Sequence, residues 1–261
     1  MNPGQSEISD NLTPVAGVTT LLLGVLAIIA GVLLATYVLP LWLPGFASSI
    51  TGESPKVYWY LSRGSAIVAF ILLWASMAMG LIITNKLARL WPGGPVAFEL
   101  HQSTSLLGLG LALFHATILI GDDYIHLALW RVFTPFASQS YLPFWVGLGQ
   151  IGVYLWGLLV GSFYVRKRIG TRTWRWIHFS SFMMFALVMA HGIVSGTDTK
   201  SLWASLMYWL AGGSLLFLLY YRILVTVGMG RAKQKATKQA TSAKPATVTG
   251  SSGSPVAQTG D

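Results

Sequence analysis

HQSTSLLGLGLALFH, residues 101–115, and HFSSFMMFALVMAH, residues 178–191, decide the fold, because each is an apolar run opened and closed by histidine. At 1.5 Å per residue, fourteen steps from His101 to His115 cover about 21 Å and nearly four turns, so both rings leave almost the same face of one helix. Thirteen steps from His178 to His191 cover about 19.5 Å. An imidazole is costly to place in hydrocarbon unless it is paired, so such residues are read as functional. The two stretches therefore matter only if each lies in a membrane span, which the rest of the chain establishes.

The 261 residues are 54% hydrophobic and 10% charged, with a mean hydropathy of +0.61. An ordinary soluble domain carries about a quarter charged residues. Eleven Trp, ten Tyr and twelve Phe fit the same setting, since amphipathic rings favour the headgroup layers. Six apolar runs are long enough to span a bilayer, which takes ~20 residues: Val15 to about Leu43, Leu61 to Asn85, Phe98 to Ile120, Phe144 to Val165, Trp176 to Val194 and Leu202 to Val227. Pro40, Pro44, Pro92, Pro95, Pro135 and Pro143 fall in the connections, where helices stop. The expected fold is an all-α membrane protein, a six-transmembrane-helix bundle. Residues 1–14 form a short polar tail, 15–229 the bundle, and 230–261 a basic Ala, Thr, Ser, Lys and Gly segment expected to be disordered.

Charge orients the bundle. Lys86 and Arg89 lie between the second and third spans, Arg166, Lys167, Arg168, Arg172 and Arg175 between the fourth and fifth, and six more basic residues from Arg222 onward. The other face keeps Lys56, Arg63, Arg131 and Lys200. The positive-inside rule then places both termini in the cytoplasm and the chain in the cell membrane. The net charge of +9 is thus a topology signal and gives no reason to expect nucleic acid. Cysteine is absent, which excludes disulfides, thiolate metal sites, iron–sulfur clusters and covalent haem attachment through a C-x-x-C-H motif. No Ser/His/Asp arrangement, carboxylate pair or phosphate-cradling loop stands out.

Spans three and five both start in the cytoplasm, so His101 and His178 share an inner depth, and His115 and His191 an outer one. Two facing neutral imidazoles are what axial ligation of a haem requires, and two such levels form a path across the membrane. On an ideal helix His191 would stand roughly 140° away from His178. A bend or a π-bulge in the fifth span, or tilt and different approach angles, would reconcile them. The alternative of a different class is a haemless transporter or structural bundle whose histidines line a proton path. Between the two levels, Phe182, Met184 and Phe185 are candidates either for a bridging medium or for ordinary core. Asp122, Asp123 and His126 in the outer loop could present a metal acceptor, although an exposed polar loop accounts for them as well. Gly108-Leu109-Gly110 has no preceding strand and reads as packing glycine, not a dinucleotide signal.

With H-x13-H on the third span and H-x12-H on the fifth, the region from about Arg63 to His191 resembles the ferric reductase transmembrane superfamily. That group includes NADPH oxidases, ferric reductases and the haem subunit of a methionine sulfoxide reductase system. The resemblance implies two b-type haems, the inner held by His101 and His178 and the outer by His115 and His191. It also implies electron transfer from a cytoplasmic donor to an extracytoplasmic acceptor such as ferric iron. The LSRGSA opening of the second span resembles the oxidase branch and implies Arg63 near an outer propionate; a snorkelling interfacial Arg accounts for it equally well. Leu119 stands where superoxide-producing oxidases often carry another His, which weakens oxygen reduction as the product chemistry. No flavin motif or nicotinamide domain is expected in this chain, so a separate flavoprotein would supply electrons. A chain that itself binds flavin and feeds a methionine sulfoxide reductase, and a quinol-oxidising cytochrome, remain as alternatives.

Overall fold

The computed structural model describes residues 17–34, 57–122, 128–138 and 141–242. Helices α1 (Val18–Leu33), α2 (Val57–Thr84), α3 (Gly94–Ile118), α4 (Leu129–Phe133), α5 (Pro143–Ile169), α6 (Thr171–Phe179), α7 (Ser181–Ser195) and α8 (Leu202–Ser242) follow one another, with no strand among the described residues. Among the described residues, five helical segments are long and apolar enough to cross a membrane: Tyr58–Thr84, Gly94–Gly121, Pro143–Ile169, Thr171–Ser195 and Leu202–Gly228. The expected first span is described only in part, as the 16-residue apolar α1.

The helices start and stop for local reasons. Pro95 and Pro143 sit in the first turns of α3 and α5, where the missing N–H costs nothing. Arg166, Lys167 and Arg168 fill the last turn of α5, where cations favour the carbonyl end of the helix dipole. Gly170 then ends α5 and opens α6 with φ of 81°, a backbone conformation that suits glycine.

α2 and α3 form one antiparallel hairpin, α5 and α7 another, and α8 lies along α2. Lipid is as apolar as the side chains, so close packing and hydrogen bonds hold such helices together rather than escape from water. The core accordingly interlocks: Trp156, 2% exposed, lies against Gly108, where a Cβ would stand 2.8 Å from the indole. Its Nε1 donates to Ser105 Oγ at 3.1 Å. Phe70 stacks on Phe185 with centroids 5.8 Å apart and meets Tyr208 edge-on at 5.0 Å. At the basic end, Arg222 donates to the Thr84 carbonyl and Asn85 to that of Leu218, tying α8 to the end of α2.

Of the tail expected at 230–261, residues 243–261 lie outside the described residues, while the segment from residue 230 is helical as far as Ser242, continuing α8. Its RAKQKATKQATS composition is rich in strong helix formers, and an existing helix extends without a new nucleation cost. The fifth span divides at Ser180, which takes the bend among the expected alternatives and not the π-bulge: Ser180 N–H donates to the Ile177 carbonyl, three residues back, at 3.0 Å. Ser180 Oγ donates to the same carbonyl at 2.7 Å, the local competition that makes serine a helix interrupter.

Candidate functional site: two facing histidine pairs

Four histidines meet as two pairs. His101 of α3 faces His178 of α6 with ring centroids 6.1 Å apart and planes at 77°. His115 of α3 faces His191 of α7 at 6.3 Å and 66°. The first pair lies toward the end that carries Lys86, Arg89 and Arg166, the second toward the opposite end. The break at Ser180 gives His178 and His191 separate helices, and each ring reaches its partner on α3. α3 packs chiefly on α2 and α7 chiefly on α5, so the rings meet across the interval between the hairpins.

Three of the four rings are aimed by hydrogen bonds to their neighbours. His101 Nδ1 lies 2.8 Å from the Ser76 carbonyl, His115 Nδ1 2.8 Å from that of Ser62, and His191 Nδ1 2.9 Å from that of Trp145. A carbonyl only accepts, so Nδ1 carries the proton and Nε2 keeps its lone pair. Ser76 and Ser62 also donate through Oγ to the backbone carbonyls of His101 (3.1 Å) and His115 (3.0 Å). His178 is held by stacking, its ring 5.1 Å from that of Trp174 at 24°. Glycine leaves room for the rings: a Cβ on Gly149 would stand 2.7 Å from His191, and one on Gly80 3.3 Å from His101.

This arrangement fits a metal held axially between two imidazoles. Two metal–imidazole bonds of about 2.0 Å in line, with about 1.2 Å from ring nitrogen to ring centre, span about 6.4 Å. No group of three or more His, Cys, Asp or Glu that could hold a metal ion occurs among the described residues, so each level offers two protein ligands. A cavity of about 700 Å³ surrounds the His115–His191 pair, within the roughly 300–1,000 Å³ of ligand sites. Its wall is mostly apolar, with Phe70, Trp156 and Val188 toward the middle of the bundle and Ser62, Arg63 and Asp198 near the other end.

Arg63 lines this cavity and forms a two-point ion pair with Asp198, while its guanidinium also lies over Trp59, 4.7 Å from the ring centre. Met184 and Phe185 are buried in the core and Phe182 packs against it. Asp122 is buried, and Asp123 and His126 lie outside the described residues. Sequence reasoning missed Asp198, Gly149 and the serines. Ser62 and Ser76 are spaced by fourteen like His115 and His101, a legible signal for an antiparallel neighbour. Asp198 offered none. No family model matches this chain, and no curated protein or solved structure matches it.

Proposed function

We propose that this chain is a six-span, di-haem b-type cytochrome that carries electrons across the cell membrane, with both termini cytoplasmic and a ferric reductase-like core. One observation carries the reading: two imidazole pairs at 6.1 and 6.3 Å, three of the four rings fixed through Nδ1 so that Nε2 is free to ligate. His101 and His178 would hold the inner haem, His115 and His191 the outer. Haem supplies one-electron chemistry at each level when bound.

The chain's own residues do the rest. The Ser76, Ser62 and Trp145 carbonyls keep three imidazoles in the ligating tautomer and raise their basicity. Trp156, Phe70 and Phe185 fill the bundle between the levels and exclude water. The basic end suits a cytoplasmic donor with an acidic surface, such as a separate flavoprotein, and the opposite end would deliver to an extracytoplasmic acceptor such as ferric iron.

The test is haem content per polypeptide in the purified, detergent-solubilised chain, read from the Soret band and by haemochrome assay. Two haems with low-spin bis-imidazole spectra are expected. A colourless preparation from haem-replete cells, refractory to added haem, refutes the proposal.

A further inference from the structure

The Arg63–Asp198 pair links the two supports of the outer histidines. Arg63 directly follows Ser62, whose carbonyl and hydroxyl hold His115. Asp198 precedes Thr199, whose hydroxyl donates to the carbonyls of Gly196 at 3.0 Å and Gly192 at 3.4 Å; Gly192 adjoins His191. The ion pair thus joins α2, behind one ring, to the α7–α8 connection, behind the other. Both side chains line the outer cavity and are partly buried, 32% and 22% exposed. Two opposite charges at one side of an apolar cavity weigh on any charge change inside it, because the low dielectric screens them weakly.

Resting on the di-haem reading, we propose that Asp198 is a positioning residue for the outer redox centre: it holds Arg63 at the cavity, cancels its charge there, and so sets the electron affinity of the outer level alone. Unpaired, the guanidinium would favour the reduced state of that level. Paired, it leaves the level near neutral while still offering N–H groups to an anionic substituent at the cavity edge. The inner pair has its own supports, Ser76 and Trp174, and lies outside this cavity, so its affinity stays independent of Asp198.

The experiment is a spectroelectrochemical titration of the purified holoprotein, resolving the two centres, for wild type, Asp198→Asn, Arg63→Gln and the double variant. The outer potential is expected to rise in Asp198→Asn, fall in Arg63→Gln and return toward wild type in the double variant, with the inner potential fixed throughout. Asp198→Glu should restore the wild-type value. A superimposable titration of Asp198→Asn and wild type overturns the inference, as do parallel shifts of both centres or loss of both haems, which would make the pair a general element of the fold. A wild-type chain without haem refutes the underlying reading itself, and is distinguished by its absent Soret band before any variant is compared.

Discussion

Replacing Gly149 by Ala tests the site through a residue that carries no functional group. The new Cβ would lie 2.7 Å from Cγ and Nδ1 of His191 and 3.0 Å from Cδ2. Ordinary carbon contacts begin at about 3.5 Å, so the ring must retreat by roughly 0.8 Å. It cannot do so freely, because Nδ1 donates to the Trp145 carbonyl at 2.9 Å, and that carbonyl belongs to the same helix as Gly149. Losing the bond costs about 1 kcal/mol, and overpacking adds about 1–3 kcal/mol. Disturbing the group that orients a metal-bound imidazole typically costs 10–100-fold in affinity, so the outer haem should be weakened by about that factor while the inner remains. The assay is haem retention on dilution, followed by the Soret band per polypeptide. Gly161→Ala, on the same helix, with nothing within 4 Å of a new Cβ and away from the cavity lining, is the control and should behave as wild type. Full retention of both haems in Gly149→Ala, with unaltered spectra, would refute the claim that His191 is a ligand held in this pose.

His115→Ala should leave one haem per chain and so should His101→Ala, with different residual potentials; unchanged two-haem content in either contradicts the pairing. Ser62→Ala and Ser76→Ala remove a hydroxyl but keep the carbonyl that holds the ring, so each should weaken its own haem by less than about tenfold, checked by the same retention assay. Trp156→Ala should lower stability by about 3 kcal/mol, the lower end of the range for removing a buried Trp, because lipid already solvates apolar surface; unfolding in mixed detergent micelles reads it.

The long apolar runs were enough to place five of the six expected spans, since length and composition decide what can sit in hydrocarbon. Helix ends moved outward: α5 runs on to Ile169 because charged residues at a helix terminus still hydrogen-bond along the backbone. Histidine spacing on the third span gave the separation of the two ring pairs along α3. What spacing could not give was the rotation of His191 relative to His178, because this depends on one serine diverting a carbonyl at Ser180. Nor could it give Asp198, which meets Arg63 across 135 positions of chain; such a partner is fixed by how the hairpins dock, not by any local pattern. Trp156 and Gly108 illustrate an intermediate case, where glycine in a helix announced close packing but not the ring that fills it.

The equal spacing of Ser62 and Ser76 along α2 and of His115 and His101 along α3 makes that hairpin a vernier with a single matching setting. Sliding one helix past the other by one residue would misalign both imidazoles at once, so neither level can be adjusted alone from this side. One ring of each histidine pair, with its serine support, therefore comes from this hairpin alone. Inserting one residue into α2 between Ser62 and Ser76 should consequently abolish one level whichever way the helices settle, whereas lengthening the connection between α2 and α3 should leave both levels intact.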